Sequence, residues 1–236
     1  MRIGFWWGVS IASMAIVVFL FEHALAAPRP RFATPEAAVK HFVEHLAADD
    51  IDGAMQAYQI DDVVAAFDAA ARVRSDSGAA LSDHRIMVGA AKISVMAKFA
   101  RETRQFVYGL LLAGPKPHTL TKASDESIQR FIRDVDPARL QAVRIVRVDQ
   151  PKPTAMNSAD GVALAKRRAA RQAAEDSTER SALFELDGTY YAGGFSLLKS
   201  SDTWRISELE SVFAGIGGRD YPIRKMTLEA YEEVIK

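Results

Sequence analysis

The chain contains no cysteine among its 236 residues, which excludes disulfides, thiol catalysis, covalent haem and cysteine-zinc sites. It must hold itself together by packing. Nor does it carry an excess of charge: 30 basic residues balance 30 acidic ones, which argues against a nucleic-acid partner, since that needs a basic face. Beyond the first 27 residues no apolar run is long enough to span a bilayer. The most apolar internal stretch, 86–113, is broken by Lys92, Lys98, Arg101, Glu102 and Arg104. There is no internal repeat, and an ordinary apolar fraction of 49% argues against disorder.

What the chain does have begins at its N-terminus. Arg2, the apolar run over 5–20, and Ala24 and Ala26 ahead of Ala27 predict a secretory signal peptide. The alternative is an uncleaved anchor, because the run approaches the roughly 17–25 residues that a bilayer needs. Gly4, Gly8, Ser10 and Ser13 dilute it, and Pro28 and Pro30 break a helix just past the site. Either way the remainder is expected to be exported, to the periplasm or outside, and to meet a membrane only if the signal is uncleaved. The expected organisation is a signal at 1–26, a linker at 27–33 and one α+β domain at 34–236. Within that domain 34–140 reads as mainly helical, 141–213 as mainly antiparallel sheet, and 214–236 as a tail with a short helix.

Thr34-Pro35-Glu36 is a helix start: threonine caps, proline takes the first helical position, and glutamate meets the positive end of the dipole. Val39, Phe42, Val43 and Leu46 follow at helical spacing. After the acidic turn 49–53, Asp52 is a candidate cap for a second helix carrying Ala54, Met55, Ala57 and Tyr58. A third helical stretch over 61–73 would bury Val64, Phe67 and Ala71. The segment 85–112 is the longest helical pattern, with Ile86, Ala90, Ile93, Ala97 and Ala100 on one stripe and Met96, Phe99, Phe106 and Leu110 widening it. Ser124 starts another helix, and Asp136-Pro137 a last turn.

From Gln141 the period becomes two. Val143, Ile145 and Val148 predict a strand, and three more follow at 181–186, 190–199 and 203–212. Asp187-Gly188 and Ser200-Ser201-Asp202 are hairpin turns, and Gly193-Gly194 suggests a bulge or strong bend. Residues 160–176, rich in alanine and charge, read as an exposed helix. The tail helix over 227–236 would turn Leu228, Tyr231 and Ile235 inward. The order of elements is α+β.

Three pieces carry a resemblance: Thr34-Pro35-Glu36-Ala37-Ala38-Val39 with Phe42, the acidic turn before Ala54-Met55, and Trp204-Arg205-Ile206. On these the chain resembles the nuclear transport factor two-like superfamily, the cystatin-like cone fold shared with ketosteroid isomerases. The resemblance implies a curved sheet folded around a helix, enclosing an apolar cavity that often takes a small molecule or a partner. The helical middle, 61–139, is larger than that fold usually has. None of the enzymes' catalytic residues can be matched here.

Candidate chemistry is sparse. His41 and His45, four apart, have the spacing of two zinc ligands, but the sequence between them lacks the H-E-x-x-H glutamate, and a solvated helix face is the simpler account. No metal or cofactor is expected. Asp83-His84 is the one acid-base candidate, with a capping aspartate beside a surface histidine as its plain alternative. Lys166, Arg167, Arg168 and Arg171 form a basic run that Glu175, Asp176 and Glu179 would cancel, which describes a salt-bridged helix. The glycines at 215, 217 and 218 read as a flexible exit from the last strand rather than a phosphate loop. Tyr58, Tyr190, Phe195 and Trp204 are the ligand-lining candidates, because aromatics with polar tips suit a cavity, though sheet-core packing explains them too. The leading expectation is an exported, non-enzymatic protein that binds a small apolar ligand or a protein partner in the cone. The alternatives are an isomerase- or hydrolase-like enzyme using Asp83 or His84, and a membrane-anchored assembly factor docking through the 85–112 helix.

Overall fold

The computed structural model describes residues 29–65, 81–112, 124–217 and 222–236; over 81–90 and at Arg130 it describes the backbone alone. The expected signal at 1–26, residues 66–73 of the helical stretch expected over 61–73, and the glycine at 218 lie outside these residues. The body described here is the compact unit Arg31–Lys236.

Helix α1 (Pro35–Ala47) starts as its sequence dictates: the Thr34 hydroxyl accepts from the Ala37 amide, with Pro35 in the first turn. It buries Val39, Phe42, Val43 and Leu46. Helix α2 (Ile51–Met55) is capped by Asp50 rather than Asp52, because the Asp50 carboxylate reaches the Gly53 amide at 2.8 Å. Gly53 is required here, since a Cβ would sit 2.1 Å from His45 Nδ1. The chain then runs through α3 (Ile60–Ala65), α4 (Leu81–Leu111), α5 (Asp125–Asp134, capped by Ser124) and a 3-10 turn, Pro137–Ala142.

Helix α4 turns a different face inward from the stripe of alanines and Ile93 that its sequence suggests. Val95, Phe99, Thr103, Phe106 and Leu110 are buried, and Ile93 is 68% exposed. The two phenylalanines decide the rotation, since each buries far more apolar area than an alanine.

The sheet follows the order β1 (Arg144–Asp149), β2 (Asp176–Leu186), β3 (Thr189–Ser200), β4 (Thr203–Glu208), all antiparallel. Between β1 and β2 lie the short α6 (Pro153–Met156) and α7 (Ala159–Arg171). Both hairpins turn through left-handed pairs, Asp187 and Gly188 at φ 53° and 71°, Ser201 and Asp202 at 49° and 61°, as the right-handed twist of paired strands favours. The predicted last strand breaks at Leu209, and Glu210–Ser211 (β5) folds back on Ile216–Gly217 (β6), so the glycine stretch is partly strand. β7 (Ile223–Lys225) pairs with β3, and α8 (Leu228–Ile235) closes the chain with Tyr231 inward but Leu228 outward.

The Gly193-Gly194 pair makes no bulge in the β2–β3 register; the irregularity falls against β4, between Ser196 and Leu197. Each glycine instead admits a close neighbour. A Cβ on Gly193 would lie 2.9 Å from the Phe184 ring, and one on Gly194 would lie 2.4 Å from the Ile216 carbonyl oxygen. Strand alternation splits the sheet into two faces. Phe184, Tyr191, Phe195 and Leu197 pack on α1 and α4, while Leu183, Ala192, Ile216 and Tyr231 form a smaller cluster on the other side.

Candidate functional site

The concave interior is filled by its own side chains. Phe42, Tyr58, Phe99, Phe106, Phe184 and Phe195 are each at most 2% exposed. Phe106 meets Phe42, Phe184 and Phe195 at 5.3, 5.7 and 5.9 Å between ring centroids, and Tyr58 stacks on Phe99 at 4.3 Å. The Tyr58 hydroxyl is satisfied by Thr103 Oγ1 at 3.0 Å, and burial pushes its pKa well above the usual value.

The four aromatic candidates therefore separate. Tyr58 and Phe195 belong to this filled core, bridged by Phe42. Alternation places Tyr190 on the opposite face, beside the Tyr231 cluster. Trp204 is half-buried and reaches a surface cleft. Asp83 and His84 sit on the first turn of α4, and their side chains lie outside the described residues. His41 and His45 stack at 4.1 Å but spend one nitrogen each on local bonds: His41 Nε2 on the Gly53 carbonyl at 3.0 Å and His45 Nδ1 on Asp50 at 2.7 Å. Among the described residues no cluster of three potential ligands could hold a metal, and no helix is long and apolar enough to cross a membrane.

That histidine pair makes a testable pH dependence. Partial burial and then the neighbouring His45 hold His41 below the usual histidine value, against the Gly53 carbonyl, Glu44 and Asp50, which favour its charge; Phe32 packs on His41 and also carries the Arg205 guanidinium over its ring. A lowered folded pKa means that this contribution to stability is complete above about pH 6.5 and is lost as the pH falls through the folded value. The urea midpoint should drop between pH 7.5 and 5.5, and His41→Gln, which keeps a donor toward Gly53 without titrating there, should drop less. Equal drops would remove the histidine from the explanation.

The cleft that holds Trp204 has a volume of about 400 Å³. It lies where β1 ends: Asp149 opposite Ser181 is the last β1–β2 pair, so residues 176–180 have no strand beside them on that edge. All five of these residues line the cleft, with Pro35 and Trp204 on one side and Met156, Val162, Ala165 and Phe213 on the other. The α7 wall is held close by Ser158, which caps the Gly161 amide, and by Gly161 itself, where a Cβ would come within 2.3 Å of the Ala155 carbonyl oxygen.

Two arginine-carboxylate pairs brace it. Arg180 binds Glu36 on α1 and donates to Thr178 Oγ1 and the Glu179 carbonyl. Arg168 on α7 pairs with Glu179, which is 1% exposed and also accepts from Ser211 Oγ at 2.6 Å and the Phe213 amide at 3.0 Å. Lys166 is exposed at the rim with no ion pair among the described residues. The sequence suggests that Glu179 cancels the basic run on a solvated helix; it does meet Arg168, but as a buried strand residue. Only the register of β2, which starts five residues earlier than its hydrophobic pattern, reveals this.

Elsewhere a second cleft of about 480 Å³ separates α1 from β1, lined by Val43, Val143, Ile145 and Val148, and it holds none of the aromatic candidates. On α4, burial pushes the Glu102 carboxyl up despite Lys98, and its oxygen accepts from the Leu209 amide at 3.4 Å. It borders neither cleft.

No known protein family and no curated protein matches the sequence. Among solved structures, a cystatin-like protein from Ruminococcus gnavus is similar, with a TM-score of 0.55 and 16% identity over 85% of this chain. The match covers 42% of that protein, so this chain spans less than half its length. At that identity the likeness speaks for the fold alone. Helices followed by a curved antiparallel sheet, with α1 and α4 packed in its concavity, give this chain the α+β cone of the cystatin-like, nuclear transport factor two-like fold.

Proposed function

We propose that this chain is a non-catalytic binding domain that takes a segment of a protein partner in the cleft beside Trp204. One observation carries the reading: the cone's interior is packed with six aromatic rings, while a half-buried tryptophan and the unpaired end of β2 open into a cleft on the surface. The polar groups there brace the walls and leave Lys166 as the cation open to a ligand. A catalytic reading has less to stand on: Tyr58 and Glu102 border neither cleft, and Glu179, the buried carboxylate of the cleft wall, is held by Arg168, Ser211 and the Phe213 amide. The domain is further read as exported, on the strength of residues 1–26; a measured mature mass beginning at Ala27 would support that, and retention of the segment would make it an anchored protein.

Panning a random peptide library on the full chain tests the binding site. Val162 is 42% exposed on the cleft wall, so Val162→Arg should leave the fold within about 0.5 kcal/mol while filling the cleft. Enriched peptides should lose at least tenfold in affinity for the variant. Peptides that bind both proteins alike would remove the cleft as the site. A small molecule released on denaturation in native mass spectrometry, unaffected by Val162→Arg, would return the function to the interior.

A further inference from the structure

The backbone of β2 at this cleft is partly occupied, and which groups are left open has a consequence. Opposite Glu179 on β3, the Ser196 carbonyl accepts from Ser207 on the far side, so this pair does not bond across and Glu179 turns its own peptide groups toward the cleft. Alternation does the same for Ser177, while Ser181 turns toward its β1 partner Asp149. Side chains then take two of the four groups at the cleft. Asp176 Oδ1 accepts from the Ser177 amide at 2.7 Å, and an Arg180 nitrogen donates to the Glu179 carbonyl at 2.7 Å. This is how an edge strand is guarded against indiscriminate pairing. It leaves the Ser177 carbonyl and the Glu179 amide facing the cleft.

Those two groups flank Thr178, the arrangement that one residue of a parallel strand needs: its N–H donates to the carbonyl before Thr178 and its C=O accepts from the amide after it. An antiparallel strand would spread the two bonds over two residues, and each would point its other peptide group at one already taken by Asp176 or Arg180. Resting on the binding role proposed for this cleft, we infer that the partner supplies an extended segment that adds to β2 as a short parallel strand, with one residue bridging Thr178. Strand addition draws affinity from main-chain bonds and specificity from alternate side chains. The bridging residue shares the face of Thr178, toward Trp204 and Pro35, and is apolar. Its neighbours face α7, where Val162 and Phe213 suit an apolar side chain and Lys166 suits a carboxylate.

The test uses a peptide selected on the full chain and rejected by Val162→Arg. Replacing its backbone amides one at a time by esters should weaken binding at least tenfold at a single position, and amide exchange at Glu179 should slow at least tenfold on binding while that at Ser177 stays unchanged. A nitroxide on the peptide's N-terminus should broaden the resonances around Asp176, the start of β2. Cleft-dependent binding with no sensitive ester and no change at Glu179 would overturn strand addition and leave the binding role standing. Broadening near Arg180 instead would overturn the parallel direction. Failure to select any cleft-dependent peptide would overturn the binding role itself.

Discussion

Glu179→Ala should cost about 3–5 kcal/mol, the penalty for breaking a buried ion pair by removing one partner. Burial at 1% exposure leaves the carboxylate nowhere to find water, and its three partners come from two elements: Arg168 on α7, and Ser211 and Phe213 on the hairpin that follows β4. Deleting it leaves a guanidinium without its counter-charge and the half-buried Phe213 amide without an acceptor. Urea unfolding measures the loss, which is a large part of the 5–15 kcal/mol typical of a domain. The double variant Glu179→Leu with Arg168→Met should recover most of it, because apolar residues of similar size often replace a buried pair at little cost. A single variant within 1 kcal/mol of the parent would show that the network is solvated and does not clamp α7 to the sheet.

Phe106→Ala should destabilise by a similar amount, about 3–5 kcal/mol, for a different reason. Phe106 has no exposed surface and contacts three other rings from the middle of the cone. The neighbours cannot collapse into the space, since Phe184 and Phe195 are fixed on strands and Phe42 on α1. An apolar cavity of this kind stays dry and accepts small aromatics. Benzene should therefore raise the melting temperature of the variant and leave that of the parent unchanged, by mass action on the folded state. A parent protein that benzene stabilises equally would mean that the interior already opens to ligands, against the reading of a filled cone.

Several features were set by local sequence and were legible there. The Thr34-Pro35-Glu36 start, the Ser124, Asp136 and Thr227 caps, and both hairpin turns depend on residues within a few positions of one another, where side-chain oxygens and left-handed backbone act directly. The α+β order followed from the same signals, and the cone-like arrangement from the family resemblance carried by Thr34–Val39, Phe42 and Trp204-Arg205-Ile206. One local reading went the other way: Asp52 reads as the cap of α2 but lies in its first turn, and Asp50 caps instead, its carboxylate on the Gly53 amide.

The site belongs to the other category. Trp204 was legible as an aromatic on a strand, but its cleft exists because β1 stops at Asp149 while β2 begins at Asp176, and strand overlap is a matter of pairing between segments far apart in the chain. Periodicity could show that α4 is apolar over a wide arc; only packing against the sheet chose the phenylalanine face over the alanine face. Likewise composition could pair a basic run with nearby acids, yet burial of Glu179 depends on which face of β2 it takes and on what covers that face. Capped helices, turns and the absence of thiol chemistry rest on single residues and their neighbours, so the order of amino acids was enough to set them. Tertiary structure alone decided that the cone is filled, that an edge is left open and that its hydrogen-bonding groups are half taken, because each requires side chains from distant segments to compete for the same space.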